Sequence, residues 1–131
     1  MNYTIKEKKF LESIEEARFA TVNKNLPHVK PVSFIFTDDS FYIATDYKTR
    51  TYKNVKQNPK AAISVDVYKP GGHKAVLVQG EIKIIENGHE FKKIYAKFFE
   101  KFEWVRRDPW KEDEAPFLKL VPITKTSWGL A

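Results

Sequence analysis

The most constraining feature of the sequence is a long stretch of alternating apolar and polar residues in its middle. "KAAISVDVY" (60–68) alternates strictly, and a turn-like "KPGG" then leads into "KAVLVQGEIKIIE" (74–86), which alternates again. A period of two over this length is typical of a β-hairpin with one buried face. Gly80 interrupts the second strand, and a mid-strand glycine usually marks a bulge or a corner where a sheet curls toward closure.

Four further apolar segments are interpreted as strands. They are "RFATVN" (18–23), "HVKPVSFIF" (28–36), "FYIAT" (41–45) and "FLKLVPIT" (117–124). Together with the central hairpin they make six strands, most of them joined by short turns. This pattern predicts a mainly β fold with flanking helices, a six-stranded antiparallel barrel formed as a single domain over residues 1–131.

Three segments are predicted to be helices. The first covers 4–17 and has Thr4 and Glu7 at capping-box spacing. The second covers 49–57 and is followed by Pro59, and the third covers 87–102 with an apolar stripe on one face. We interpret "WVRRDPWKEDEAP" (104–116) as a loop and "KTSWGLA" as a tail.

Composition limits the classes of function. The chain has 131 residues, 42% of them hydrophobic, and no apolar run approaches the ~20 residues of a membrane span. The first residues lack the pattern of a signal or transit peptide, so we expect a soluble, cytoplasmic protein without a membrane partner. The absence of cysteine excludes disulfides, thiolate metal sites and cysteine nucleophiles. The net charge of +6 suits either an anionic partner or simple solubility.

The familiar catalytic motifs are absent. His28, His73 and His89 do not have the spacing of metal ligands, and we expect no metal site. The glycine pair in "PGGHKA" fits neither a dinucleotide-binding loop nor a P-loop, and no serine has the G-x-S-x-G context of a hydrolase. The sequence names no catalytic residue, and any redox chemistry would come from a bound cofactor.

The segment "TDYKTRTYKNVKQNP" (45–59) carries four cationic side chains and one acid. A strand ending at Thr45, followed by Thr49 and Arg50 at the start of a helix, would bring hydroxyls, a guanidinium and free N–H groups together, as a phosphate site requires. The same pattern also fits a solvated basic helix whose Tyr52 and Val55 face the core. The residues alone leave both interpretations open.

Pro31 lies inside a predicted strand and cannot donate a hydrogen bond to a neighbouring strand. The middle of that strand is therefore expected to be an edge, a bulge, or a place where something other than a strand lies alongside.

Three segments, taken in order, resemble a known family. They are "ARFATVNKNLPHVKPVSFIF", "FYIATDYKTRTYKNVKQNPKAAISV" and "AVLVQGE", and they are similar to the pyridoxamine 5'-phosphate oxidase-like group of FMN-binding split β-barrels. The match covers about residues 17–81 with compatible spacings. The resemblance implies a six-stranded antiparallel split barrel that forms a homodimer, with FMN in the cleft between the subunits and a small-molecule substrate.

The resemblance also implies which residues bind the cofactor. Those beside the flavin ring and ribityl chain would be Lys30, Pro31, Val32 and Ser33. Those at the ribityl phosphate would be Ala44, Thr45, Thr49 and Arg50. The family commonly has lysine directly after the Ser/Thr-Arg pair; this chain has Thr51 there, and Lys53 or Lys48 would replace that contact.

The C-terminal region departs from the family pattern. The true oxidases have Arg and His there, whereas this chain offers Trp128 as a ring-stacking residue. The resemblance therefore implies an FMN-dependent oxidoreductase or reductase with an unknown substrate rather than an oxidase of pyridoxamine phosphate. Related barrels carry 8-hydroxy-5-deazaflavin or haem, and the basic surplus would suit the acidic tail of the deazaflavin.

A nucleic-acid-binding barrel is the alternative from another class. Four aromatic residues could stack on bases: Tyr42, Tyr52, Tyr68 and Trp104. Most aromatics, however, fall on predicted core stripes, which disfavours nucleic acid as a partner. A cofactor-free dimeric binding protein is a third alternative. The apolar stripes exceed what a small barrel can bury, and the helix at 91–102 is one candidate for the dimer interface.

Overall fold

The computed structural model describes residues 1–131 as four helices and six strands. In chain order these are α1 (Ile5–Ser13), β1 (Glu16–Asn23), β2 (Leu26–Thr37), β3 (Ser40–Ala44), α2 (Arg50–Gln57), β4 (Lys60–Val67), β5 (Lys74–Ile85), α3 (Gly88–Lys101), α4 (Glu103–Arg107) and β6 (Phe117–Trp128). None of the helices is both long enough and apolar enough to cross a membrane.

The six strands form one closed antiparallel barrel in the order β1-β2-β3-β6-β5-β4, and β4 pairs with β1 to close the ring. The predicted fold is thereby confirmed. Tight two-residue turns join the first three strands, at Lys24–Asn25 and at Asp38–Asp39. All four of these residues have positive φ, between 52° and 63°, as expected for hairpin turns that follow the twist of the strands.

Gly80 lies where the pairing of β5 with β6 changes register. The shift falls between Gln79 and Gly80, which confirms the predicted bulge. A Cβ atom on Gly80 would lie 2.2 Å from the carbonyl oxygen of Val121. Since backbone cannot yield as a side chain does, only glycine fits here.

β2 is divided between two neighbours. Residues 26–33 pair with β1, whereas residues 34–37 pair with β3. The first half of β2 therefore has a free edge on the side away from β1, and it contains both Pro27 and Pro31. Proline lacks the N–H that an added strand would need, so these residues suit an edge and hinder unwanted pairing. Of the three alternatives predicted for the strand around Pro31, the structure shows an edge.

Two hydrophobic cores lie on the two sides of the barrel wall. The interior core contains 19 buried residues, with Phe19, Phe34 and Phe41 fully inaccessible. The second core joins α3 and α4 to the outer surface of the barrel; its eight members are Ile35, Tyr42, Phe91, Ile94, Phe98, Phe102, Val105 and Phe117. The apolar stripe of α3 is thus buried within the chain, and the suggestion that it provides a dimer interface is wrong.

Three boundaries differ from the sequence predictions. α1 ends at Ser13, and Ala17 lies in β1, because Ala17 also fits the alternation of buried Ala17, Phe19 and Thr21 along that strand. The predicted loop at 104–116 begins with α4. The predicted tail is largely strand, since β6 continues to Trp128 and pairs with β5 to its end.

Candidate functional site

The start of α2 is held by a capped turn. Thr49 is the N-cap residue, and its side chain accepts a hydrogen bond from the Tyr52 amide at 3.1 Å. Its hydroxyl also lies 2.9 Å from the carbonyl oxygen of Asp46 and 2.9 Å from the hydroxyl of Thr45. Both threonine hydroxyls are therefore engaged in forming the turn. Their role in this structure is to shape the site.

The cap leaves the first backbone donors of α2 free. The amides of Arg50 and Thr51 have no acceptor, whereas those of Tyr52 and Lys53 bond to Thr49. Free N–H groups at a helix start favour an anion, and the helix dipole adds to this preference. The Arg50 side chain is exposed and makes no hydrogen bond or ion pair. The free guanidinium and the two free amides thus belong to neighbouring residues at the start of α2.

Arg50 lines a cleft of about 570 Å³ between α2 and the β1–β2 hairpin. We call it the Arg50 cleft; its polar lining is Asn23, Lys24, His28, Arg50 and Asn54. No carboxylate lines it. An anion entering the cleft would therefore meet two full positive charges and no opposing negative one.

A second cleft of about 530 Å³ adjoins the first and shares Asn23 and Lys24 with it. We call it the Lys53 cleft; its other lining residues are Tyr47, Tyr52, Lys53, Lys56 and Gln57. It too has no carboxylate in its lining. Lys53 therefore lies beside the neighbouring cleft, and the lysine that joins Arg50 in its own cleft is Lys24.

Two tyrosines give the Lys53 cleft a fixed aromatic wall. The rings of Tyr47 and Tyr52 meet edge to face with centroids 5.0 Å apart. The Tyr47 hydroxyl donates to Glu86 at 2.7 Å. Burial, followed by this bond to a carboxylate, raises the pKa of Tyr47, so its hydroxyl stays protonated across the physiological range.

The inner face of α2 is anchored to the barrel. The side-chain amide of Asn54 donates to the Thr21 hydroxyl at 3.0 Å, and both residues are buried. Val55 packs into the interior core. Thr51 is 1% exposed, and its hydroxyl has no hydrogen-bond partner. Where the family pattern has lysine, this chain thus places an unpaired buried hydroxyl, a group that gains from any acceptor brought within reach.

The residues predicted to lie beside a flavin ring occupy the free half of β2 and its end. Pro31 is exposed, and Lys30 is half-buried without an ion pair. The Val32 side chain belongs to the interior core at 7% exposure, so only its backbone faces outward. The Ser33 hydroxyl accepts a hydrogen bond from the Trp104 indole at 3.3 Å. Trp104, on α4, was not predicted as part of this region.

Trp128 lies in a different part of the surface. It is 41% exposed, and its indole N–H donates to Nδ1 of His73 at 3.3 Å. The His73 ring also meets Tyr68, with centroids 4.8 Å apart. Neither Trp128 nor Ala44 lines either cleft at α2. Within one chain, the predicted ring-stacking residue and the predicted phosphate residues are not brought together.

Four polar residues of the Arg50 cleft were missed by the sequence predictions: Asn23, Lys24, His28 and Asn54. Asn54 lies four residues after Arg50, so the helical period could have placed both on one face. Lys24 and His28 lie on a hairpin that is distant along the chain. No local pattern indicates that this hairpin meets α2.

The four aromatics proposed to stack on bases do not share a surface. Tyr42 is 2% exposed, and Tyr52 contacts Tyr47. Tyr68 lies next to His73 at the other hairpin, and Trp104 stacks on Trp110. This distribution lacks the continuous stacking platform of single-strand-binding barrels.

Comparison with known proteins gives the family to which the chain belongs. Residues 4–122 match the family model of pyridoxamine 5'-phosphate oxidase. Because the match covers most of the chain, the protein belongs to this family. No curated protein matches the sequence.

Several solved structures share the fold at low sequence identity. General Stress Protein 26 of Bacillus anthracis is 19% identical, with TM-score 0.75 and coverage of 93% of this chain and 90% of that one. HutZ, the haem storage protein of Vibrio cholerae, is 16% identical, with TM-score 0.80 and coverage of 96% and 94%. An FAD-binding protein of Mesorhizobium loti is 16% identical, with TM-score 0.76 and coverage of 96% and 94%.

Proposed function

We propose that the protein is an FMN-binding flavoprotein, a homodimeric oxidoreductase or reductase acting on a small substrate. The observation that carries the proposal is the unpaired Arg50 guanidinium, which lines a cleft without carboxylates and belongs to the first residue of a helix whose first two amides are free. Such a site is complementary to a dianionic phosphate group. Membership of the pyridoxamine 5'-phosphate oxidase family and the FAD-binding structural relative support a flavin as the group that carries this phosphate.

The residues present fit the phosphate end of the cofactor. Arg50 would take two phosphate oxygens through its guanidinium, and the amides of Arg50 and Thr51 would take another. Lys24 adds a second charge from the hairpin, and the cap at Thr49 fixes the direction of the helix amides. The Thr51 hydroxyl, buried and without a partner, lies on the same turn.

Lys30, Pro31 and the backbone of Val32 are the groups that the free half of β2 offers to the ring and ribityl chain. A bound flavin would supply hydride or electron transfer. A cationic Lys30 near the ring would favour a negative charge there, and the proline edge would keep another strand from occupying the same place.

The outer surface of the barrel is the proposed dimer interface. Ala20 pairs with both Val29 and Ala62 across neighbouring strands, and these residues line two shallow concavities of about 430 and 350 Å³. Val29 and Ile123 are 65% and 55% exposed. A patch of exposed aliphatic side chains favours an interface with a protein.

Pro27 lines both this apolar patch and the Arg50 cleft. A second copy packed on the patch would therefore border the cleft, in keeping with a cofactor held between subunits and with a contribution of Trp128 from the partner. Ile123→Glu should yield monomers in sedimentation at micromolar concentration, while a wild type that sediments as a monomer with cofactor bound would refute the dimer.

FMN and riboflavin together test the proposed function. Loss of a charge-assisted hydrogen bond costs roughly 1.5–3 kcal/mol, so Arg50→Ala should weaken FMN binding by about 10- to 100-fold. Riboflavin lacks the phosphate, and its affinity should hardly change. Flavin fluorescence quenching measures both constants, and the absorbance of the purified protein separates flavin bands from those of haem or a deazaflavin.

Lys92→Ala is the matched control. Lys92 is exposed on α3 and has no ion pair, so removing its charge should leave both affinities unchanged. If Arg50→Ala lowered the affinities for FMN and riboflavin equally, or lowered neither, the phosphate would not bind at this cleft.

A further inference from the structure

The Lys53 cleft lies next to the Arg50 cleft along α2. Residues four and three apart lie on the same face of a helix. Arg50 and Asn54 therefore line one side and Tyr52 and Lys56 the other, with Lys53 between them. The step from Arg50 to Lys56 is about 9 Å along the axis at about 1.5 Å per residue. This row is longer than a single phosphate group.

Positively charged side chains line both clefts. Lys24, at the tip of the β1–β2 hairpin, lines both clefts and bridges them, and no acid lines either one. The Lys53 cleft has three lysines, although one phosphate in the neighbouring cleft would already be satisfied by Arg50, Lys24 and the free amides. These additional cations would remain without a partner if the ligand ended at that phosphate.

The tyrosine pair in the Lys53 cleft limits which ligand groups would suit it. Tyr47 and Tyr52 are partly exposed, and the Tyr47 ring is held in place by its bond to Glu86. A fixed tyrosine ring beside lysines suits a phosphate followed by an aromatic base, since a base can stack on the ring while the lysines bind the phosphate. A purely acidic tail would use the lysines alone.

We propose that the ligand extends from the Arg50 cleft into the Lys53 cleft as a second phosphate carrying a nucleoside. The site that binds FMN would then also bind a flavin dinucleotide such as FAD, and bind it more tightly. This inference rests on the proposed function, because it assumes that the first phosphate of a flavin lies at Arg50. Lys53, Lys56 and Tyr47 are the residues that distinguish the two cofactors.

The test compares FAD, FMN and riboflavin on the full-length protein. The wild type should bind FAD about tenfold or more tightly than FMN, since each additional charge-assisted contact is worth about that factor. The double variant Lys53→Gln/Lys56→Gln should remove this preference and leave the FMN affinity unchanged. Arg50→Ala should weaken both nucleotides, and the Lys92→Gln variant should alter neither.

Two sets of results separate the possible failures. If the wild type binds FAD no more tightly than FMN, or if the double variant weakens both alike, the second subsite is refuted while the FMN site stands. If neither FMN nor riboflavin binds, the proposed function itself fails. Both lysines are exposed, so unchanged thermal unfolding of the double variant will confirm that a lost preference reflects binding.

Discussion

Two regions of the surface contain several charged side chains, and they differ in how those charges are used. The clefts at α2 contain lysines and an arginine without any acid. The larger cleft, of about 790 Å³ between α1, the β2–β3 turn and α3, contains three lysines and four acids: Lys8, Lys97, Lys101, Glu12, Asp38, Asp39 and Glu100. On this difference we place the candidate ligand site at the smaller clefts beside α2 rather than in the larger one.

Several charges of the larger cleft already contact one another, a neighbouring lysine or the backbone. Asp38 lies 2.6 Å from Lys93, and Asp39 lies 4.0 Å from Lys8. Lys101 donates to the carbonyl oxygen of Ile14 at 2.7 Å, and its ammonium lies over the ring of Phe34. Burial lowers the pKa of Lys101. These contacts in the larger cleft connect helices and strands to one another, whereas the cationic side chains of the clefts at α2 are free to bind an anion.

The largest loss of stability is expected from removing a paired charge, that of Glu7. Glu7 on α1 is 4% exposed, and its carboxylate accepts hydrogen bonds from Lys125 at 2.7 Å, from Ser127 and from the Thr4 amide. Glu7→Ala leaves a largely buried ammonium without its partner, a change that costs about 3 kcal/mol. Chemical denaturation measures this, and FMN affinity should be retained at temperatures where the variant is folded.

Acidification should weaken the same contact. Burial alone would raise the pKa of Glu7, but the hydrogen bonds from Lys125 and Ser127 outweigh it and hold the pKa below its ordinary value. The stabilisation is therefore complete above the unfolded pKa of about 4.3 and is lost as pH falls through the folded value. Glu12→Ala, an exposed acid on the same helix, is the control; a loss as large as that of Glu7→Ala would show that helix charge, not pairing, matters.

An intermediate effect is expected at the anchor of α2. Asn54→Ala removes the donor to Thr21 and leaves a buried hydroxyl unpaired, at a cost of about 1–3 kcal/mol. Because this bond holds the helix that carries Arg50, FMN affinity should fall as well. Replacing both partners, in Asn54→Ala/Thr21→Val, should destabilise less than the sum of the single changes. Additive losses in a double-mutant cycle would mean that the two side chains act independently.

The smallest effect is expected in the larger cleft. Lys97 lines it but makes no ion pair within 4.0 Å, so Lys97→Ala should change stability by less than about 0.5 kcal/mol. It should also leave the affinities for FMN and inorganic phosphate unchanged, in contrast to Arg50→Ala. A loss of phosphate binding comparable to that of Arg50→Ala would remove the distinction between the two regions.

Much of the barrel could be predicted because its signals are local. Alternation located the strands, Gly80 marked the bulge, and Pro31 marked the edge. Local signals failed where two periods coincide, as at Ala17, which fits both a helical stripe and a strand. They also failed for α3, whose stripe is covered by side chains such as Tyr42 and Phe117 that are distant along the chain.

Part of the candidate site could likewise be predicted from local sequence, and part could not. Thr49 and Arg50 are neighbours along the chain, and the sequence alone indicated that they begin a helix. Lys24 joins them only because the β1–β2 hairpin lies over α2, which is a tertiary contact. The burial of Val32 follows from which face of β2 points inward, and its alternation with exposed Pro31 could have shown that its side chain would not reach a ligand.

The closure of the barrel by β6 has a consequence for how the protein reaches its structure. Ala44 pairs with Phe117, and β5 finds its second neighbour only in the same final strand. Before that strand is available, β3 and β5 present open edges on which other chains could assemble. Pairing over such long loops makes folding slow. Conditions that delay the last strand during synthesis should therefore favour aggregation, even though β3 and β5 each have two neighbours in the finished barrel.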